Sequence, residues 1–459
     1  VRAIGKLQAA QSALCPLYFR LPRGFHSRAI RVRFGQFMLR DQSPLLVCDL
    51  TQSYSPKGGG GVSTYLREKR RYVLENTPHR LMQIVPGPED RVIEDGRHIW
   101  VEIGADPVRG SPNYRFILRT SAVRAVLERY RPDIIESLCP WLLPWTAIHY
   151  RRTHPETVLV AGYRTDFPNA QVHRVALDLF GPHIAWALRK LILGYAEITY
   201  REFDWVYSLG EETRRLLNSC RIAGVDVLSL GVDTQLFHPD KRDPAYRRSL
   251  GLPGDGPLLV YAGRIDNEKR ADTLVAMMRH LPRELGAALV LIGDGKLHDQ
   301  LMEESRDLPV AFPGFFTDRA QLARALASSD IYVSGMADET FGVSVVEAQA
   351  SGLPVVGVAS GAMIERVPPG LGLLGPVDDA AAMARNVLAV WHGDHAAMSR
   401  AARSHVESRF SWDRTFQQLF GQIYPAAQAQ ARRRQAARWR GPALGPFQFG
   451  RSRRGSLSG

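Results

Sequence analysis

Cysteine is scarce in this chain. Cys15, Cys48, Cys139 and Cys220 are the only four in 459 residues, and no two form a Cys-x-x-Cys pair. That excludes a disulfide framework and a zinc ribbon and fits a reducing compartment. No apolar run approaches the roughly 18–20 residues needed to cross a bilayer, so a soluble or peripheral protein is expected. Acidic residues are missing from both ends. Residues 1–40 hold Lys6 and seven arginines with no Asp or Glu, and residues 425–459 hold eight arginines, again with no acid. Each end therefore carries +8 of a total of +13, which leaves −3 for residues 41–424. The body is mildly acidic, so net charge gives no reason to expect a specific nucleic-acid partner.

What is present is ordinary for a globular protein: 45% hydrophobic and 23% charged residues. The length predicts two domains. Residues 1–40 lack an apolar core with a small-residue cleavage site, so a secretory signal is not expected. The acid-free, arginine-rich composition could imitate an organelle transit peptide. The simpler reading is that translation starts near Met38 and that 1–40 is disordered or lies outside the native chain.

From residue 44 the pattern is α/β. Short apolar runs at 44–50, 98–103, 133–138, 158–162 and 205–209 predict buried parallel strands. Between them lie helical stretches at 113–130 and 179–200. Strands at 258–265, 287–295 and 309–316 and helices at 271–280 and 318–328 repeat the order, the mark of doubly wound sheets. Residues 227–243 have no helical period and predict the interdomain linker. Residues 385–410 read as helical, 411–424 as an amphipathic helix with Phe416, Leu419, Phe420 and Ile423 on one face, and 425–459 as a disordered tail. The apolar piece 138–150, with Trp141 and Trp145, reads first as core beside a helix start and second as a docking surface for a lipid-linked acceptor.

Residues 331–357 (IYVSGMADETFGVSVVEAQASGLPVVG) carry the sharpest chemical signal. They predict a strand at Ile331–Val333, a polar loop, a short helix and a second strand at Val355–Val358. Phe341 and Gly342 fall at the helix mouth, where unpaired backbone N–H groups favour an anion. Glu347, a turn further in, can accept hydrogen bonds from hydroxyls of the same ligand. A ligand with phosphates at one end and a diol at the other fits both: a nucleotide-sugar. Other polar residues gather at strand ends in the same half, where open α/β sheets bind ligands. Arg264 and Lys269 follow one strand, Asp294 the next and Glu339 a third. Two cations beside a helix mouth suit a diphosphate and the charge that develops on it as it leaves. In the first half, Gly58–Gly61 make a glycine-rich strand-to-helix turn that lets a ligand approach the backbone. It is neither a Walker loop nor a Gly-x-Gly-x-x-Gly fingerprint.

The pieces GRIDNEKRADTL (263–274), LIGDGK (291–296), FPGFF (312–316) and ETFGVSVVEAQASGLPVVG (339–357) together resemble the nucleotide-binding domain of glycosyltransferase family 4. KGGGGVSTYL (57–66), YRTDFP (163–168) and LSLGVDTQLFHP (228–239) match its first domain more loosely. The resemblance implies the α/β GT-B fold of two facing Rossmann-like domains. Their expected limits are 41–228 on the acceptor side and 229–410 on the donor side, with 411–424 returning to the first. It further implies a retaining hexosyltransferase that uses a nucleotide diphosphate sugar, needs no metal, and works in the cytoplasm or at the inner face of the membrane. The acceptor would be a hydroxyl of a glycolipid or polysaccharide precursor. By position, Arg264 and Lys269 would grip the diphosphate, Glu347 the ribose and Glu339 the transferred sugar. Phe341, Gly342 and Val343 would meet sugar and β-phosphate, Gly263, Asp294, Phe312 and Gly314 would complete the donor site, and Gly60 and Gly61 would close it. The two-aspartate metal signature of the other large glycosyltransferase fold occurs nowhere.

One position departs from the family. Arg164 stands in YRTDFP where similar proteins usually carry a histidine that contacts the transferred sugar. Arginine cannot act as a base near neutral pH, so Asp166 is expected to take a larger share. The alternative that this departure raises is a non-catalytic GT-B subunit or sensor that only binds a nucleotide-sugar.

Overall fold

The computed structural model describes residues 43–54, 61–108, 111–164, 167–168, 177, 180–220, 222 and 225–439. Two large sheets organise them. The first has eight strands in the spatial order Val225–Val227, Trp205–Ser208, Val158–Tyr163, Ile134–Ser137, Leu46–Leu50, Arg80–Gly87, His98–Gly104 and Arg91–Asp95. All its pairings are parallel except the last. Val47 and Cys48 point to opposite faces and both are fully buried. A strand covered on both faces needs an unbroken apolar run, which is how Leu46–Leu50 reads.

The second sheet is parallel throughout, in the order Val310–Gly314, Ala288–Ile292, Leu258–Ala262, Ile331–Val333, Val355–Val358 and Gly372–Gly375. Chain order reverses between Leu258–Ala262 and Ile331–Val333. Strand-end loops diverge at such a point and leave a crevice, the usual ligand position in open α/β sheets. The loops that leave there are 263–270 and 334–342. This is the GT-B arrangement of two Rossmann-like units.

Two glycine loops set that crevice. Gly293 has φ +149°, and a Cβ there would lie 1.8 Å from the Gly263 carbonyl oxygen. The side chain is absent because the next strand-end loop occupies its place. Gly293→Ala is expected to cost at least about 1–3 kcal/mol from backbone strain alone. A lowered urea midpoint would show it, and an unchanged midpoint would contradict this packing.

Several sequence-based boundaries are corrected. The helix expected over 113–130 is confined to Thr120–Tyr130, and Ser111–Phe116 is a strand paired antiparallel with Ser53–Tyr54. The buried helix positions Val123 and Leu127 are four apart, whereas Tyr114, Phe116 and Leu118 alternate with period two, the strand signature. The stretch 385–410 is two helices, Ala380–His392 and His395–Arg409, broken at Gly393 and restarted by Asp394, whose carboxylate accepts from the Ala397 N–H at 2.9 Å.

The tail expected to be disordered from 425 continues as a helix over Tyr424–Trp439. Its composition is poor in large apolar residues but rich in alanine, the best helix former. Ala427 and Ala431, four apart, supply the buried stripe. Arg434 anchors the far end on Asp204 at 2.8 Å and on the Pro155 carbonyl at 3.2 Å. Residues 1–42 and 440–459 lie outside the described residues.

Candidate functional site

The donor-side residues converge at the reversal point of the second sheet. Lys269 Nζ lies 3.1 Å from Glu339 Oε2, and the other Glu339 oxygen accepts from the Gly342 N–H at 3.1 Å. Gly342, at φ +80°, opens the helix Val343–Ala350. One N–H at the helix mouth is thus taken by the Glu339 carboxylate of the chain itself. Burial works against charge on this carboxyl. Lys269 and the backbone N–H groups of Gly342 and Phe341 outweigh it and hold the carboxyl below the usual range.

Arg264 is half-exposed on the same loop. Its guanidinium pairs with Asp266 and with Glu268, the latter at 2.7 Å, and its carbonyl accepts from the Tyr261 hydroxyl. Asp266 also accepts from the Lys269 N–H at 3.0 Å, so one carboxylate fixes both cations of the loop. Asp294 is exposed at the neighbouring strand end, where its carbonyl accepts from the Ile265 N–H. Gly263 donates its N–H to Ile292 and Gly314 ends its strand at φ +80°. Phe312 packs edge-on against His298, ring centres 5.5 Å apart, and Phe315 is exposed beside it. Phe341 is buried under the Arg366 guanidinium, 4.3 Å from the ring centre.

Glu347 is buried, and Arg319 reaches it at 2.5 Å. Burial pushes its carboxyl up, and Arg319 offsets this only in part. Both line a cavity of about 360 Å³ whose opposite wall includes Arg67 and Glu68 of the helix Gly61–Asn76 and Trp412. Arg319 was missed from the sequence. Its only signal there is its place at the start of a helix after FPGFF.

The first domain meets this centre closely. A Cβ on Gly61 would lie 3.2 Å from Val343 Cγ2, so the glycine turn abuts the donor helix. The Thr340 hydroxyl donates to the Arg164 carbonyl at 3.0 Å. Gly60 and Asp166 lie outside the described residues.

Arg164 is buried, 3.9 Å over the Tyr65 ring, and donates to the Tyr207 hydroxyl at 3.2 Å. Its Nη2 has no hydrogen-bond partner among the described residues. Tyr65 and Tyr207 in turn donate to Glu136, Tyr65 at 2.8 Å. Glu136 also holds Lys69, 2.6 Å away, and Lys69 pairs with Asp49 and lies 2.8 Å from the Tyr424 hydroxyl. All three charged side chains are fully buried. Burial opposes the charge on Lys69, but Asp49 and Glu136 outweigh it and raise its pKa. This network went unnoticed in the sequence, where Lys69 reads as one more cation in LREKRR.

The segment after the second sheet crosses back onto this network. Trp412 and Phe416 stack on each other and pack on Tyr65, and Phe416 also packs on Tyr72. Thr415 donates to the Ser229 carbonyl at 2.7 Å.

Two family models match the chain: "Glycosyltransferase Family 4" over residues 59–236 and "Glycosyl transferases group 1" over 242–405. The chain is 28% identical over 323 residues to a Mycobacterium tuberculosis protein described as a GDP-mannose-dependent alpha-(1-6)-phosphatidylinositol dimannoside mannosyltransferase. That match covers 70% of this chain and 81% of the relative. A GDP-mannose-dependent alpha-mannosyltransferase of Corynebacterium glutamicum is 27% identical, covering 73% and 78%. Among solved structures, sucrose-phosphate synthase from Thermosynechococcus elongatus superposes with a TM-score of 0.65 at 22% identity, over 86% of this chain and 100% of that one. Anabaena HepE, solved with UDP and glucose, gives 0.62 at 17%, over 83% and 100%.

Proposed function

The chain belongs to glycosyltransferase family 4, the group 1 glycosyl transferases, and on that premise we propose that it transfers a hexose from a nucleotide diphosphate sugar to a hydroxyl acceptor with retention of configuration. The observation that carries the reading is the Lys269–Glu339 pair at the mouth of Val343–Ala350, with Arg264 on the loop of Lys269 and Glu347 one turn into the helix. A diphosphate needs Arg264, Lys269 and the mouth, a sugar needs Glu339, and a ribose needs Glu347. The mannosyltransferases it is similar to make GDP-mannose the first donor to test and a glycolipid or saccharide the first acceptor.

In this proposal Arg264 and Lys269 bind the donor diphosphate and stabilise the charge that it gains as the C1–O bond breaks. The acceptor oxygen joins C1 on the same face through an oxocarbenium-like state, and its proton passes to the departing phosphate oxygen. Glu339, ionised and held by Lys269, accepts from hydroxyls of the transferred sugar. Arg164 stays charged, so it binds and does not shuttle a proton. The positive charge comes from side chains and the helix mouth, and we propose that no metal takes part. We also place the acceptor on a lipid, with the enzyme on the cytoplasmic face of a membrane. What supports a lipid acceptor is the similarity to a relative described as a phosphatidylinositol dimannoside mannosyltransferase.

Incubation with GDP-mannose or UDP-glucose and a panel of mannosides and glycolipids tests the reaction. The expected product is an α-linked hexoside, read from its anomeric NMR coupling. Saturable donor binding with neither transfer nor hydrolysis would instead identify a non-catalytic nucleotide-sugar-binding subunit.

A further inference from the structure

The helix Pro182–Tyr200 (PHIAWALRKLILGYAEITY) is more apolar than a solvent-facing helix should be. It buries only Ala185, Ala196, Thr199 and Tyr200. Ile184, Leu191 and Ile198, spaced seven apart and so on one face, are 49%, 67% and 61% exposed. Trp186 is 55% exposed, with Lys190 Nζ 3.9 Å over its ring. Among the described residues fifteen large apolar side chains stand exposed, and seven of them fall between Leu142 and Ile198 in the sequence.

Beside the stripe runs a groove of about 730 Å³, walled by Trp141, Leu142, Trp145, Leu191, Tyr195 and Ile198. The piece 138–150 is divided: Leu138, Leu143, Ala147 and Tyr150 are core, while Trp141 and Trp145 face the groove. Packing ties the groove wall to the Arg164 loop. Trp141 packs on Phe167 with ring centres 5.0 Å apart, and Phe167 is three residues from Arg164.

We propose that this face docks on an anionic lipid surface and presents the acceptor headgroup to the Arg164 side of the cleft. The inference rests on the lipid-linked acceptor proposed above and names the residues that would meet the lipid. Apolar side chains flanked by a Trp–Lys pair are the composition that sits at the headgroup boundary, with the Trp ring in the interface and the Lys amine among phosphates. Charge agrees. The helix carries Arg189 and Lys190 against Glu197 alone. The helix Tyr424–Trp439 carries Arg432, Arg433, Arg434 and Arg438 with no acid, and it is anchored on Pro155 and Asp204 of the same domain.

Vesicle flotation of the full chain tests this, with phosphatidylcholine alone and with added phosphatidylglycerol. The wild type is expected to float with the anionic vesicles. W186E/L191E/I198E is expected to lose at least about tenfold in vesicle affinity, since it replaces three inserted apolar groups with charge. Its donor-induced thermal shift and its turnover of a soluble mannoside are expected to stay at wild-type values. Should that variant misfold, L191S/I198S repeats the test without new charge and is expected to bind more weakly in the same direction. A wild type that does not float, or variants that float equally well, would overturn the proposal. So would a dimer in sedimentation velocity that the same substitutions dissociate, because a second copy would then cover the face. Failure of donor turnover in every protein, with flotation intact, would count against the transferase reading and not against the docking face.

Discussion

Lys69→Met is expected to destabilise the protein by about 3–5 kcal/mol, the usual cost of removing one partner from a buried ion group. Lys69 is fully buried between Asp49 and Glu136, and it lies against the Tyr65 and Tyr424 rings. Without it two carboxyls face each other with no cation between them. Burial already raises Asp49, while Lys69 and the hydroxyls of Tyr207 and Tyr424 hold Glu136 low against the same penalty. The variant therefore has to take up a proton or unfold. Urea denaturation reads the loss, which should shrink as pH falls and the carboxyls protonate. Wild-type stability at neutral pH would contradict the network. Because Tyr424 belongs to the returning C-terminal helix and Tyr207 contacts Arg164, the lesion should also loosen the cleft.

The second large effect concerns chemistry. Lys269→Met is expected to lower kcat by about 10²–10³-fold, the size of loss seen when one donor to a developing oxyanion is removed. KM for the donor should move less, since the charge that Lys269 meets grows as the diphosphate leaves. The lysine also neutralises Glu339, 3.1 Å away, so Glu339→Gln separates its two jobs. That variant keeps the size and the Gly342 contact while removing the charge. A larger fall in kcat for Lys269→Met than for Glu339→Gln assigns the lysine to the leaving group as well, whereas equal falls assign it to positioning Glu339. Unchanged kcat in both would contradict the donor-site assignment.

The second half was largely legible from its residues. Short apolar runs buried on both faces leave the strand pattern nowhere else to go, and the strands at Ile331–Val333 and Val355–Val358 fall where expected. Glu339 and Glu347 could be located because a short helix between two strands fixes their separation. Their partners were less visible. Arg319 reaches Glu347 from another helix, and nothing local in RAQLARALA marks that reach. The buried group was harder still: Asp49, Lys69, Glu136 and Tyr424 are scattered over the chain and meet only through packing. The strand Arg80–Gly87 passed unread although seven of its eight residues are buried, since Gln83 and Pro86 interrupt the apolar run. Gln83 is buried because its amide donates to Asp49 and to the Leu66 carbonyl.

The departure at Arg164 gains a physical setting in the same network. The position calls for a group that lies over the Tyr65 ring and donates to the Tyr207 hydroxyl, and arginine brings five N–H donors to it where a histidine brings at most two. The guanidinium does both and keeps Nη2 uncommitted among the described residues. The unread tail has a related explanation: a narrow alanine stripe is enough to dock a helix whose polar face is arginine.

The most direct test of the nucleotide-sugar site is a thermal-shift comparison of wild type and Glu347→Ala against GDP-mannose, UDP-glucose and their free diphosphates. Glu347 is the buried carboxylate assigned to the ribose, so at least one nucleotide should raise the wild-type Tm and leave the variant nearly unmoved. Loss of binding in Glu347→Ala, with the ligand-free variant still folded, is the predicted result. A wild type that no nucleotide stabilises, or a variant stabilised equally, would contradict it.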